Sequence, residues 1–429
     1  MQLLFKEAYW LIACLTNIAD TACSERMTTV SQFIQSKLRE SSVNQVNKQF
    51  VPEEKDRNTI IALAKSIVVN SEWMNIISDF AFEEKNKKYN IAGSIIVRIK
   101  IDEDLLKSNG ISRKEIRPNI LQQLVFLVWN KLIGEMSDCF LFDQTTIPYF
   151  ISVCSGYTDP SNKIVWNRES VKQHAEELGQ WAEIYSGQYS EYRDDVYIRR
   201  LEGDLSNRES EIHILNKNSA LIYMEPENYN LYFKKDVETP NSTGYMYETL
   251  LKTIARIRVI LYSMLLINKS IDEDTKTLSQ KSYEQKELNT IKEDLEKSKR
   301  MKNELQGVLA PIFTDLTRSY RQHYTAVLTR LMELFEVEKN WERILKKVEL
   351  NTTSLNSIYL DKQEESQKRQ ETILNMVNFI LGSSIIFEIV GYIVRDNETV
   401  NTINSIIGIG FIVILAMMLI KIFMKKEEK

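Results

Sequence analysis

Apolar residues recur at helical intervals in two stretches of the N-terminal half, Met1–Arg39 and Thr59–Phe82. In the first stretch the apolar positions include Leu4, Ala8, Leu11, Leu15 and Ile18. A spacing of three or four residues is typical of an amphipathic helix that covers other structure. The pattern therefore predicts one helix in each stretch.

Other stretches of this half are rich in β-branched and aromatic residues. They are Ile91–Ile101, Cys139–Val153, Val196–Arg199 and Glu211–Met224. The last of them is split by Asn216, Lys217 and Asn218, which are turn-forming residues and predict a β-hairpin. Because predicted helices and strands are mixed along residues 1–240, we expect an α+β domain there.

The pattern changes to long helices after residue 240. Tyr245–Asn268 has a strong helical period, and the charged stretch Asp272–Asn303 carries leucines and isoleucine at heptad-compatible spacing. These features predict a helix followed by a modest coiled-coil arm. We expect Pro311 to break the helix, because proline removes a backbone hydrogen bond.

A further apolar seam runs from Val327 to Tyr359 in steps of four and three residues. No Pro or Gly falls between Ile312 and Leu381, so one unbroken helix is predicted to lead into the next apolar segment. A helix cannot bury such a seam alone, and we therefore expect it to pack against the preceding helices and against copies of itself in a homo-oligomer. Residues 241–372 are interpreted as a helical stalk with a coiled-coil arm.

Two apolar segments, 373–394 and 403–424, follow near the C-terminus. Each has about 22 residues, enough to cross a hydrocarbon core of about 30 Å. A short polar loop, 395–402, joins them, and basic residues flank both outer ends, including the tail 425–429. The lengths of the segments predict two transmembrane helices, and the positive-inside rule places both termini in the cytoplasm.

A polar stripe marks the first of these segments. At 100° per residue, Asn375, Asn378 and Gly382 share one side of a helix, and Ile386 and Ile389 continue it. In a ring of subunits this stripe would line a pore with a polar mouth and an apolar constriction. The alternative is that the two asparagines only bond neighbouring helices.

The outer mouth of such a pore would be formed by the end of the first segment and the loop after it. The residues at this place are Glu388, Arg395, Asp396 and Asn397. Glu388 lies off the polar stripe. Two roles stay open for it, an ion pair near the outer interface and a part in ion permeation.

Composition excludes several classes of function. The chain of 429 residues has a net charge of −4 and a mean hydropathy of −0.28, which gives no support to direct nucleic-acid binding. Its four cysteines form no CxxC pair, and its three histidines lie far from them, so no metal site is expected. No phosphate loop, HExxH or GxSxG motif is present, and no catalytic residue is predicted.

The order of these parts resembles the CorA family of divalent-cation channels. Residues 355–426 carry the local likeness, since a long helix runs into the first apolar segment and a basic tail follows the second. The resemblance implies a funnel-shaped pentamer in which the first membrane helix lines the pore. The family's Gly-Met-Asn signature is absent, because residues 391–397 read Gly-Tyr-Ile-Val-Arg-Asp-Asn.

In lacking this signature and having a large N-terminal domain, the chain is more similar to one branch of the family, the CorA-like effectors of type III CRISPR systems. That resemblance implies a ligand-gated, multi-pass channel in the inner membrane of a prokaryote, with an antiviral role. It also implies that the activating messenger is a conjugate of S-adenosylmethionine with AMP.

A phosphate-bearing messenger needs cationic donors in the soluble domain, and arginine suits that task because its guanidinium binds two oxygens at once. The candidates for this role are Arg199, Arg200, Arg256, Arg258 and Tyr262. Solvated or ion-paired arginines are the alternative interpretation.

Two other functions stay open at this point. One is a constitutive divalent-metal transporter of the CorA type, with Mg²⁺ as the permeant ion. The other is a membrane-anchored interaction protein that recruits partners through its coiled-coil arm.

Overall fold

The computed structural model describes residues 2–44, 54–84, 87–122, 124, 139–142, 148–158, 164–183, 198, 201–233, 246–278, 287–318, 322–393, 408 and 410. The chain divides into two compact units. The first comprises Met1–Tyr283 with Glu296–Thr352, and the second comprises Glu284–Leu295 with Thr353–Lys429.

A mixed sheet forms the centre of the first unit. Its strands are β1 (Leu3–Thr16), β2 (Ile67–Glu84), β3 (Lys87–Ile101), β4 (Leu141–Phe142), β5 (Tyr149–Tyr157), β6 (Ile212–Leu215) and β7 (Ser219–Met224). Their order is β2-β3-β1-β5-β7-β6, with β4 paired to β1 beside this path. The β5–β7 pair is parallel, and the other pairs are antiparallel.

The helices precede, interrupt and follow the strands. The shorter ones are α1 (Asp20–Asn44), α2 (Glu54–Lys65), α3 (Glu103–Ser108), α4 (Arg168–Gln173), α5 (Ala175–Ala182) and α6 (Pro226–Phe233). A π-helical turn, Met246–Leu251, leads into the C-terminal helices. These are α7 (Lys252–Leu278), α8 (Leu288–Arg318), α9 (Gln322–Leu334) and α10 (Val337–Ile393).

The predicted first helix is wrong, because residues 3–16 form the central strand β1. Trp10 and Ile12 are buried on one side of the sheet, while Tyr9 and Leu11 are buried on the other. A strand buried on both sides shows no alternation of polar and apolar residues, so its pattern cannot be distinguished from that of a buried helix. The helix of this region begins only at Asp20.

The predicted helix at Thr59–Phe82 is also wrong beyond its first turns. Helix α2 ends at Lys65, and β2 then pairs with β3 from Ile67 onwards. Pairing with a neighbouring strand overrides the local helical period here. The strand prediction for Ile91–Ile101 is confirmed by β3, and the predicted hairpin at 216–218 is confirmed by the antiparallel β6–β7 pair.

One side of the sheet, which we call the first face, is closed by α1, α2 and α5. Its core contains the fully buried Trp10 and the stacked rings of Phe5 and Trp181, whose centroids are 5.6 Å apart. Large apolar side chains from several helices fill this side, so it is an ordinary hydrophobic core.

The other side, the second face, is covered by α7, α8, α9 and the start of α10. Buried residues of α7 and α9, such as Ile254 and Leu331, pack there with Leu11 and Ile222 of the sheet. The predicted helix at 245–268 is confirmed by α7. These helices bring polar and charged side chains to this face as well.

The expected helix break at Pro311 is wrong, since Pro311 lies inside α8. The buried Leu309 and Ile312 on either side hold the helix against the second face, which offsets the lost hydrogen bond. The single helix expected from 312 to 381 is instead divided. It breaks at Phe335 and Glu336, where Glu336 has a φ of 48°.

Within the described residues, no helix is both long and apolar enough to cross a membrane. This finding contradicts the predicted pair of transmembrane helices, the multi-pass membrane localisation and the membrane-channel description. Polar side chains, among them Ser383, Ser384 and Glu388, interrupt the apolar run at the end of α10. The second predicted segment, 403–424, lies outside the described residues except for Gly408 and Gly410.

Candidate ligand pocket

A pocket of about 220 Å³ lies on the second face, where α7 runs beside the first turns of α10. Its apolar lining includes Leu261, Met264 and Ile344, and Ala13 of β1 also contributes. Its polar lining consists of Arg258, Tyr262, Asn268, Asn340 and Arg343. All these residues belong to the first compact unit.

Arg258 enters this pocket from α7. Its guanidinium lies over the ring of Phe335, with the charge centre 5.6 Å from the ring centroid. Phe335 also contacts Tyr149 edge-on at 6.3 Å, and Tyr149 donates a hydrogen bond to the carbonyl of Asn216 at 2.9 Å. Burial raises the pKa of Tyr149, while the positive charge of Arg258 opposes that rise. Arg258 is therefore held by an aromatic support at one side of the pocket.

Arg343 enters from the opposite wall, on α10. Its side chain is exposed, and within the described part of the chain no ion pair or hydrogen bond engages it. Asn340 lies one turn earlier and donates a hydrogen bond to the carbonyl of Phe335 at 3.2 Å. This bond satisfies a backbone carbonyl at the break between α9 and α10. Helix α10 begins after the break, and its first turns bring Asn340 and Arg343 to the pocket.

Tyr262 and Asn268 complete the polar lining on α7. The Tyr262 hydroxyl donates to the carbonyl of Leu141 at 3.2 Å, which fixes its ring. Asn268 accepts a hydrogen bond from Lys347 of α10 at 2.9 Å and donates one to Asp272 at 3.2 Å. Both residues are thus oriented by neighbours.

The lining suits an anion attached to a flat or apolar group. Two guanidinium groups on facing helices can share the oxygens of a phosphate or carboxylate, and the apolar wall can cover a ring. The volume is below the range of about 300–1,000 Å³ that holds a drug-sized ligand. The pocket therefore fits a small ligand or one part of a larger one.

The structure separates the five residues predicted to bind a messenger. Arg258 and Tyr262 line the pocket, whereas Arg256 forms an ion pair with Asp315 of α8. Tyr324 donates a hydrogen bond to the same carboxylate at 3.1 Å, so Arg256 belongs to a structural network. Arg199 and Arg200 lie outside the described residues.

The residues predicted to line a pore lie on the last part of α10. The following of these residues are all exposed in the described chain: Asn375, Asn378, Gly382, Ile386, Glu388 and Ile389. The other residues predicted for the outer mouth, Arg395, Asp396 and Asn397, lie outside the described residues.

Sequence reasoning did not select Asn268, Asn340 or Arg343. A signal was present, because Asn340, Arg343 and Lys347 recur at helical spacing on one side of a helix, next to the apolar Ile344. The pattern indicates a binding site only when α7 is known to lie beside this side of α10.

Two further polar clusters lie on the second face. In the first, the fully buried Glu7 binds Arg98 at 2.6 Å and accepts a hydrogen bond from Tyr9 at 3.0 Å. In the second, the rings of His213 and His323 meet edge-on at 5.7 Å, with a Glu211 oxygen 3.8 Å from His213. Among the described residues no group of side chains is arranged to hold a metal ion.

Comparison with known proteins gives no assignment. No family model matches this chain, and neither a curated protein nor a solved structure matches it. The pocket and its contacts are therefore the basis for a functional proposal.

Proposed function

We propose that this protein is a ligand-responsive regulator that binds a small anionic ligand of the adenine-nucleotide class in the pocket between α7 and α10. The observation that carries the proposal is the pair of arginines, Arg258 and Arg343, on facing helices around an apolar wall. Arginine pairs of this kind bind phosphate oxygens strongly because their hydrogen bonds are charge-assisted.

The nucleotide class is supported by two features. Leu261, Met264 and Ile344 offer an apolar surface to a base, and Arg258 is pre-positioned on Phe335. The resemblance to CorA-like CRISPR effectors also implies an adenylate messenger, the conjugate of S-adenosylmethionine with AMP. The channel and metal-transporter hypotheses both require transmembrane helices, and the described residues contain no helix of that kind.

Helix α10 is the element through which a bound ligand can act. It lines the pocket with Asn340 and Arg343 and runs without a break from Val337 to Ile393. A helix of 57 residues is about 85 Å long at 1.5 Å per residue.

Calorimetric titration of the full chain with AMP, inorganic phosphate and the S-adenosylmethionine–AMP conjugate tests this proposal. We expect AMP and the conjugate to bind, and Arg343→Ala to weaken their binding by about 10- to 100-fold, as expected for loss of a charged hydrogen bond. Since Arg343 is exposed, the unfolding temperature should not change.

Arg369→Ala is the matched control, because Arg369 is an exposed arginine of the same helix that pairs with the neighbouring Glu365. It should bind like the wild type. Equal affinity of wild type and Arg343→Ala for every nucleotide, or binding of none of them, would contradict the proposal.

A second candidate function is assembly of copies of the chain through α10. Several large apolar side chains near its end are exposed, including Leu374, Leu381 and Ile386 at about 60%. Exposed apolar surface of this extent is typical of an interaction site. Sedimentation velocity of the full chain should show an oligomer that Leu381→Gln with Ile386→Gln dissociates, and a monomeric wild type would exclude this assembly.

A further inference from the structure

A polar contact lies one helical turn beyond the pocket and joins its two walls. Lys347 of α10 binds the carboxylate of Asp272 at 2.7 Å and the side-chain oxygen of Asn268 at 2.9 Å, both on α7. Asn268 also lines the pocket, and Lys347 follows Arg343 by four residues on the same side of α10. We call Lys347, Asp272 and Asn268 the α7–α10 latch.

The latch is the adjustable part of this helix contact. The side chains of Lys347 and Asp272 are 35% and 46% exposed, so water can replace their contact at low cost. The next turn is different, because Asn351 is 8% exposed and donates to Thr275 at 2.9 Å. Ser298 of α8 is also buried, and its hydroxyl lies 2.7 Å from that of Thr352. These buried bonds fix the register of α10 below the latch.

An anion in the pocket would add negative charge beside Arg343, within reach of the neighbouring lysine. Lys347 has a flexible stem with three rotatable donors, so it can turn towards a new acceptor. The carboxylate of Asp272 and the bound anion would then compete for the same ammonium group.

We propose that ligand binding and the Lys347–Asp272 contact oppose each other, so that a bound anion draws Lys347 from Asp272 and opens the α7–α10 latch. The proposal rests on the anion pocket described under Proposed function and assigns its regulation. Coupling between two sites is reciprocal, and weakening the latch must therefore strengthen anion binding.

Titration of the full chain with AMP provides the test. Asp272→Asn should raise AMP affinity about two- to five-fold, the value of a partly exposed ion pair. Asp274→Asn is the matched control, because Asp274 lies on the same helix and pairs with Lys297 at 3.4 Å. It removes the same charge and should leave the affinity unchanged.

A double-mutant cycle with Lys347→Met excludes a general charge effect. In the Lys347→Met background, Asp272→Asn should have no further effect, because no ammonium group remains to be released. Three results would each overturn the latch. Asp272→Asn could leave AMP affinity unchanged, or it could raise AMP affinity equally in the Lys347→Met background. The third such result is an equal rise in AMP affinity from Asp274→Asn.

The outcomes also separate the latch from the pocket. If wild type binds AMP and Arg343→Ala does not, while Asp272→Asn equals wild type, the pocket stands and the latch is wrong. If wild type and Arg343→Ala both fail to bind AMP, the AMP pocket is wrong and the latch falls with it.

Discussion

The two faces of the central sheet are built from alternate residues of the same strands, yet they differ in chemistry. The first face holds an apolar core in which Trp10 and Trp181 are fully buried. The second face holds a comparable core but also the Glu7–Arg98 pair, the two histidines and the pocket. The first face therefore stabilises the domain through apolar burial, whereas the second face also buries ionisable groups, which make its stability depend on charge and pH.

Trp10→Ala should give the largest change, because it removes a fully buried tryptophan side chain from the first face. Trp10 is fully buried, and its ring lies 6.3 Å from that of Phe150. We expect a loss of about 3–5 kcal/mol in the free energy of unfolding, from lost burial and the cavity left behind. Denaturant unfolding measures it, and Tyr9→Phe on the second face should cost clearly less. If both variants lost the same free energy of unfolding, the two faces would not differ in how much they stabilise the domain.

Arg98→Met should destabilise the second face by about 3 kcal/mol, because it leaves the buried Glu7 carboxylate without its main partner. Adding Glu7→Gln to this variant should recover part of the loss, since an amide tolerates burial better than a charge. Lys100→Met, at an exposed position of the same strand, is the control and should be nearly neutral. Chemical denaturation of wild type and these three variants measures the differences. A neutral Arg98→Met would show that the hydrogen bond from Tyr9 is enough to satisfy Glu7.

The second face should also be the acid-sensitive one. Burial, assisted by the nearby His323, lowers the pKa of His213 to about 3, whereas an unfolded histidine titrates near 6.5. Between these values the unfolded chain binds more protons than the folded chain, so stability falls as pH drops from 6.5 towards 3. The contribution is about 1.4 kcal/mol per pH unit in that window.

His213→Gln should therefore flatten the dependence of stability on pH between 6.5 and 4, relative to wild type. His174 is less buried, and it stands near Trp166 of the first-face core. Its replacement by Gln should change the pH dependence less. Thermal unfolding at a series of pH values measures both, and identical slopes for wild type and His213→Gln would contradict the assignment.

The smallest effect is expected at the helix break that brings α10 to the pocket. Glu336 has a φ of 48°, a conformation that glycine adopts without the strain of a β-carbon. Glu336→Gly should stabilise the protein by about 0.5–1 kcal/mol, less a few tenths for the exposed contact with Lys339. Glu336→Ala keeps the strain and should give no gain. A loss of stability in Glu336→Gly would mean that the break is held by other contacts.

The parts predicted well are those whose pattern is local. Strand β3 alternates over Ile95–Ile101, the β6–β7 hairpin has turn residues between its strands, and α7 has a strong helical period. Strand β1 was mistaken for a helix because both its sides are buried. Of the five residues predicted to bind a messenger, Arg258 and Tyr262 line the pocket, but Arg343, which lines it too, was not among the five.

The sequence by itself determined the broad order of the chain, a mixed α+β region followed by long helices, and the presence of arginines on α7. Only the tertiary structure decided that residues 3–16 form the central strand, that Arg256 is engaged by Asp315, and that α10 supplies Arg343 opposite Arg258. The physical reason is that periodicity reports which side of an element is buried, whereas a binding site depends on which distant elements meet.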